Sequence, residues 1–344
     1  MSVRVLQVVR RYGPVGGMEA YVWELSRALN RLDCRVEILC EEICGEVAEG
    51  IRVHTLGTMM RKPRWLAAWR FSGRVSRWVS RHAVAQHIIH SHEATAVHQV
   101  TTFHGPPFAR VRDGSVFRRL SLRVWASLRL EQREVCAPQV RCVIPNSVLI
   151  RDMLAHYYPC IGSRMGPVIV PGVRQFPRVA RAADRKPVIG FVGREWKRKG
   201  LDIALKVVAE LRRRMPELEF YVAGPDPAVI QHLFDDWSGG YRLFGDTALD
   251  TFYGQLDLLL HPARMEPFGM VITEAMSAGV PVVLSDQCGA RSEVDARFVL
   301  PLEAPLTQWC EACEQAMQAR HGIHYHRSWQ DVAQEHLQVY RELL

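Results

Sequence analysis

Two carboxylates, Glu266 and Glu274, bracket the stretch Glu266-Pro267-Phe268-Gly269-Met270-Val271-Ile272-Thr273-Glu274-Ala275-Met276-Ser277-Ala278-Gly279. Its Pro-Phe-Gly loop opening onto an apolar run predicts a loop-to-helix junction that offers backbone N–H groups at Phe268, Gly269 and Met270. The separation is a little over two helical turns, so Glu274 belongs on the helix while Glu266 reaches from the loop ahead of it. Acids near a helix start also answer the helix dipole with no ligand present. A second stretch, Gly193-Arg194-Glu195-Trp196-Lys197-Arg198-Lys199-Gly200, gathers four cations between a strand end and a helix start. Arg194 can fork onto two phosphate oxygens and Lys199 can add a point charge at the helix N-terminus. The plainer alternative is a solvated basic turn. A third loop, Gly13-Pro14-Val15-Gly16-Gly17, also precedes a helix and offers either a phosphate cradle or a tight turn. The dinucleotide fingerprint GxGxxG is not matched there, although Glu41 and Glu42 end the next strand about where a ribose-binding acid would lie. His104, followed by Gly105, stands at another strand end.

These residues need a scaffold that brings strand ends together. VRVLQVV is a short β-branched run, followed by the glycine loop and by a helix with apolar positions at Ala20, Val22, Leu25, Ala28, Leu29 and Leu32. RVEILC, HIIHS, QVTTFH and RCVIPNS follow as strands separated by helical stretches. A second start comes after the polar, proline-containing segment RQFPRVARAADRKP: PVIGFVG, an amphipathic helix, and strands in LEFYVAG, YRLFG, DLLLHP and VPVVLS. Alternating strands and helices mean a parallel sheet with helices on both faces, so the chain reads as two doubly wound α/β domains joined near residues 165 to 187. In such sheets ligands lie off the carboxyl ends of the strands, where the loops above fall.

Composition excludes other classes. The chain has 344 residues, 48% hydrophobic and 23% charged, which rules out a disordered chain or a collagen-like repeat. Residues 1 to 180 carry 26 basic and 13 acidic side chains, and the remainder 18 and 23. A basic first half argues for an anionic partner. The segment 61 to 82 suits an anionic lipid surface best, with seven cations beside Trp65, Trp69 and Trp78 and no acid. Its alternative is tryptophans packed inside and arginines merely solvated. Nine cysteines without paired spacing, no leading apolar segment and no apolar run of spanning length point to the cytosol. Cys310 and Cys313 read as neighbours on one helix, Asp235-Asp236 as surface, and His321, His324 and His326 as a turn rather than a metal site.

The run from Glu266 to Val282, E-P-F-G-x-x-x-x-E-A-x-x-x-G-x-P-V, resembles the EX7E motif of family 4 retaining glycosyltransferases of the GT-B fold. Gly16-Gly17-Met18-Glu19, Phe103-His104-Gly105, Gly193-Arg194 and Lys199-Gly200 match in the family's order, so the resemblance covers nearly the whole chain. One departure is Arg174, where relatives commonly carry an acid or amide. The resemblance implies two Rossmann-like domains facing a cleft: 1–170 for the acceptor, with 326–344 crossing back, and 171–325 for a nucleotide-sugar donor. It implies Arg194 and Lys199 on the diphosphate, Glu266 on the transferred sugar and Glu274 on the ribose. His104 then lies at the reacting centre and Glu19 near the acceptor, with Gly16, Gly17, Leu243, Phe268, Gly269, Met270 and Val271 lining the donor. No metal and no cofactor are expected. Similar members build lipopolysaccharide core at the inner membrane face, which makes a UDP-hexose such as UDP-glucose the expected donor and a glycolipid or oligosaccharide the expected acceptor. GDP-mannose stays open, as do a sugar-nucleotide epimerase and a dehydrogenase. A nucleic-acid partner would leave the Glu266–Gly279 run unexplained.

Overall fold

The computed structural model describes residues 3–82, 84, 86–114, 121–177, 185–319 and 325–344. The chain divides into two compact units, Met1–Gly172 with Arg327–Leu344, and Val173–His326, against expected boundaries at 170/171 and 325/326.

In the first unit the strands are β1 (Arg4–Val8), β2 (Arg11–Tyr12), β3 (Arg35–Cys40), β4 (Glu42–Ile43), β5 (Arg52–Thr55), β6 (Ile88–Ser91), β7 (Val100–Phe103) and β8 (Cys142–Pro145). Six form one sheet in the order β5-β3-β1-β6-β7-β8 with every neighbour parallel, and β2 pairs with β4 apart from it. β6, β7 and β8 are buried along their whole length, as parallel strands covered on both faces must be. The polar strand β5 carries no apolar run and is not legible as a strand in the sequence. The final helix, Trp329–Leu343, starts with a capping box between Ser328 and Asp331 and lies against the helix Gly17–Arg31. Arg327 ties its start to the Val170 carbonyl at 3.0 Å.

The second unit repeats the plan with β9 (Val188–Val192), β10 (Glu219–Ala223), β11 (Tyr241–Gly245), β12 (Leu258–His261), β13 (Val282–Ser285) and β14 (Val299–Leu300). The order is β11-β10-β9-β12-β13-β14, again all parallel. The helix Leu201–Arg214 buries Leu201, Ala204, Leu205, Val207, Val208 and Leu211 on one stripe and places three arginines in its last turn, where the helix dipole favours cations. Each fully buried Leu or Val in that stripe contributes roughly 1.5–3 kcal/mol of transfer free energy. Cys310 and Cys313 are buried in this core on the helix Leu306–Gln318, as neighbours on a helix should be. Strand order reverses on either side of β1 and of β9, so a crevice opens off the carboxyl ends of β1 and β6, and of β9 and β12.

Candidate active site

In the second unit the loop after β9 is shaped by two left-handed glycines. At Gly193 a Cβ would lie 2.0 Å from the Lys199 stem, and at Gly200 it would lie 2.0 Å from the Pro262 carbonyl. Only glycine lets the lysine fold back over the strand end while the helix starts against the end of β12. Lys199 Nζ thereby comes to 3.1 Å from Glu266 Oε2, both side chains nearly buried. Arg198 Nη1 lies 3.3 Å from the same oxygen; it also bonds the Met265 carbonyl, and Glu195 braces its Nε at 2.8 Å. The Glu266 backbone is pinned by Glu266 N–H to Gln287 O and Gly289 N–H to Glu266 O, at 3.0 and 2.9 Å. Burial alone would raise the Glu266 carboxyl, but Lys199 first, then the neighbouring His261 and Arg198, outweigh it and hold the group well below the usual carboxylate range. His261, the last residue of β12, is fully buried with Nε2 3.6 Å from Glu266 Oε2, beyond hydrogen-bond length. Burial lowers its imidazole from the ordinary histidine value, and neither ring nitrogen has a hydrogen-bond partner among the described residues.

Glu274 sits on the helix Met270–Ser277, whose N-cap Gly269 is left-handed at φ +99°. The buried Tyr253 hydroxyl donates to Glu274 Oε2 at 2.9 Å. Burial raises this carboxyl, partly offset by Tyr253, Arg174 and Lys199. The two carboxylates are thus driven in opposite directions, one held ionised and the other pushed toward protonation. Phe268 is buried and Met270 and Val271 are half-buried at the helix start. Arg174 pairs with Asp250, so its departure from the family pattern comes with a counter-ion.

Other expected residues take different positions. Arg194 does not join the Glu266 cluster: it is exposed and pairs with Asp246 at 2.7 Å. Leu243, expected to line the donor, lies on strand β11 at the edge of the sheet and packs against the core. Asp235 and Asp236 are exposed. His321 and His324 lie outside the described residues, and among those described no three His, Cys, Asp or Glu side chains gather as metal ligands would. The sequence reading missed His261 and Tyr253, and gave Arg198 no role apart from its neighbours.

In the first unit Gly16 caps the helix Gly17–Arg31, and Glu19 in its first turn takes a 3.2 Å ion pair from Arg11. His104 follows β7, with Nε2 2.9 Å from His92 Nδ1 and the Tyr21 ring edge-on at 4.8 Å. Glu93, another residue the sequence reading passed over, follows β6; burial pushes its carboxyl up to about 7 against the pull of Arg10. Glu41 is buried between Arg10 and Arg74, at 3.1 Å from each, so it is occupied structurally and does not present an acid to a ribose.

The chain matches Glycosyltransferase Family 4 over residues 15–174 and Glycosyl transferases group 1 over residues 186–319. The D-inositol 3-phosphate glycosyltransferase of Corynebacterium urealyticum is 24% identical over 393 aligned positions, covering 96% of this chain and 92% of that protein. The crystal structure of WaaG, a glycosyltransferase involved in lipopolysaccharide biosynthesis, superposes with a TM-score of 0.76 at 15% identity over 97% of this chain and 95% of WaaG. Anabaena HepE in complex with UDP-glucose superposes with a TM-score of 0.67 at 16% identity, over 98% and 99% of the two chains. With both halves matched and two parallel sheets of the same strand order, the chain belongs to the family 4, group 1 glycosyltransferases and has their GT-B fold.

Proposed function

We propose that this chain transfers a hexose from a nucleotide sugar, UDP-hexose first, to a sugar hydroxyl of a lipopolysaccharide-core glycolipid, with retention and without a metal. The observation that carries the reading is the Lys199–Glu266–Arg198 cluster beside a helix N-terminus, off strands β9 and β12 where the order of the second sheet reverses. Breaking a sugar–phosphate bond leaves negative charge on the nucleotide, and fixed cations with backbone N–H groups stabilise that charge as it develops. Glu266, held ionised, accepts from hydroxyls of the transferred sugar, and Glu274, braced by Tyr253, takes the ribose hydroxyls. No carboxylate is assigned as general base; the departing phosphate takes the acceptor proton on the same face, which gives an α-linkage. His104 is assigned to the substrate and Glu19 to the acceptor. HepE, a fold relative, is seen in complex with UDP-glucose, which is in keeping with a UDP-hexose donor. The burial of Glu41 disfavours a dinucleotide-dependent dehydrogenase.

Titration calorimetry with UDP, GDP, ADP and dTDP in EDTA tests this directly. One nucleotide is expected to bind saturably, and Glu274→Ala to weaken it about twofold to tenfold by losing a hydrogen bond of ~0.5–1.5 kcal/mol. GDP as the nucleotide bound makes the chain a mannosyltransferase of the same fold. An isomerised sugar nucleotide with no glycosylated acceptor makes it an epimerase, and binding of none removes the donor site.

The acceptor proposal places the first unit on an anionic membrane, and the exposed apolar groups shift where it docks. Trp69 donates its N–H to the Ala126 carbonyl at 3.1 Å, and Trp78 stacks on His82 at 4.1 Å, so two of the three tryptophans of the 61–82 stretch are engaged inside the unit. Leu66 on the helix Arg64–Arg81, with Leu122 and Trp125 on the adjoining helix Leu122–Cys136, is exposed instead, and Arg70, Arg123 and Arg129 are exposed on the same two helices. Among the described residues no helix is long and apolar enough to cross a membrane. Co-sedimentation with phosphatidylglycerol vesicles is expected to weaken roughly threefold to tenfold in Trp125→Ala and to be unchanged in Trp78→Phe. Equal binding to phosphatidylcholine vesicles would refute an anionic surface.

A further inference from the structure

A chain of side-chain hydrogen bonds runs through the core of the first unit and ends on His104. His104 Nε2 lies 2.9 Å from His92 Nδ1, and His92 Nε2 lies 2.6 Å from Gln7 Oε1. Gln7 Nε2 lies 3.0 Å from the Tyr340 hydroxyl, that hydroxyl 2.6 Å from His90 Nδ1, and His90 Nε2 2.8 Å from Thr102 Oγ1. The members come from β1, from β6 and β7 with the residues just past them, and from the final helix, more than three hundred positions after Gln7. Gln7, His90, His92, Thr102 and Tyr340 are all buried. Tyr21, edge-on to His104, is itself bonded to His336 Nε2 at 3.3 Å, so the ring plane is held as well as the ring nitrogens.

Burial, with smaller contributions from the neighbouring imidazoles, holds His90 and His92 well below the ordinary histidine value and His104 down at about 3. At neutral pH each ring therefore has one N–H and one lone pair, so fixing either nitrogen fixes the other. Gln7 Oε1 can only accept, which makes His92 Nε2 the donor and His92 Nδ1 the acceptor. His104 must then donate from Nε2. On the other side Gln7 donates to the Tyr340 oxygen, Tyr340 donates to His90 Nδ1, and His90 donates from Nε2 to Thr102. Every bond in the chain runs in one direction and every buried group is satisfied. The remaining nitrogen, His104 Nδ1, has no partner among the described residues and is not enclosed. Reversing the chain means turning the Gln7 amide over and switching all three tautomers together.

The geometry points to Gln7 and His92 as positioning residues: they hold His104 as the Nε2–H tautomer, so that Nδ1 presents a lone pair to a hydroxyl of the substrate, and Tyr340 makes this setting depend on the docked final helix. The substrate half of this rests on the assignment of His104 under Proposed function; the tautomer half does not. A hydroxyl that donates to Nδ1 is oriented by it, whereas the opposite tautomer would present an N–H and favour a different rotamer of the same hydroxyl.

The test is 15N NMR of the imidazole nitrogens of the full chain, with His104→Asn identifying the His104 signals. Wild type is expected to show a pyridine-type Nδ1 and a pyrrole-type Nε2 on His104. Gln7→Leu, and separately the near-isosteric Tyr340→Phe, which removes one hydroxyl, are expected to give mixed tautomers with circular dichroism unchanged. With UDP-glucose, or GDP-mannose if that is the donor turned over, kcat is expected to fall about tenfold or more in both variants while KM changes little. A protonated Nδ1 in the wild type overturns the proposed polarity. An unchanged His104 signal in Tyr340→Phe and Gln7→Leu overturns the positioning role. If the tautomers mix but kcat stays at the wild-type value, and His104→Asn is fully active, the assignment of His104 to the substrate falls and the hydrogen-bonded chain is structural only.

Discussion

Lys199→Ala is expected to lower kcat with the nucleotide sugar by about a hundredfold to a thousandfold while the chain stays folded. The size comes from where the charge sits. Lys199 Nζ is nearly buried, held over the end of β9 by the space that Gly193 leaves and steadied at 3.1 Å by Glu266. A cation fixed in a poorly solvated place needs no reorganisation when charge develops on the leaving diphosphate, so its removal is felt mainly in the transition state. Arg198 shares the same carboxylate and is expected to lose activity to a comparable extent as Arg198→Ala. Arg194 is exposed and already paired with Asp246, so Arg194→Ala is expected to cost much less. Nucleotide release assays on the three variants check the ranking, with circular dichroism as the control for folding. Full activity in Lys199→Ala would remove it from the site, and a larger loss in Arg194→Ala would move the phosphate contact to the rim of the loop.

That ranking marks the limit of what the residues alone convey. The sequence contains Arg194, Lys197, Arg198 and Lys199 in one turn, and the strand-then-glycine pattern correctly places the turn off a strand end. Which cation faces inward depends on two left-handed glycines whose torsion angles pattern does not reveal. The parallel sheets were legible because their strands are short apolar runs bounded by glycine and proline, as in Val188–Val192 and Leu258–Leu260. Strand β5 was not, since Arg52-Val53-His54-Thr55 has too little apolar character to stand out. Glu266 and Glu274 could be found because their spacing is local. Tyr253 could not be connected to Glu274, nor Gln7 to Tyr340, because those pairings exist only once distant elements pack. His261 looks in sequence like a core residue at the end of an apolar strand; its site role is visible only in the 3.6 Å approach to Glu266. The tryptophans show the converse. Trp69 and Trp78 stand out as an interfacial pattern, yet the fold uses them for packing, and the exposed Trp125 lies on a helix that composition did not single out.

Glu266→Gln is expected to lose both turnover and stability, and the pH dependence of the stability loss separates the two causes. At neutral pH the substitution removes the negative charge that Lys199 and Arg198 share and leaves two cations close together in a nearly buried place, which costs on the order of 2 kcal/mol. The carboxyl is depressed in the folded chain, so in the wild type its contribution is fully present above the ordinary value of 4.5 and is lost as pH falls through the lower folded value. The difference in unfolding free energy between wild type and Glu266→Gln, measured by urea titration, is therefore expected to stay constant from about pH 7 to about pH 5 and to shrink only below that. Turnover behaves differently: glutamine still reaches a sugar hydroxyl but no longer accepts with a full charge, and kcat is expected to fall about a hundredfold at every pH where the protein is folded. A stability difference that stays flat below pH 5, or that grows as pH falls, would mean that Glu266 titrates as an ordinary or a raised carboxyl. The two cations would then not hold it ionised, and the account of the donor site built on them would fail.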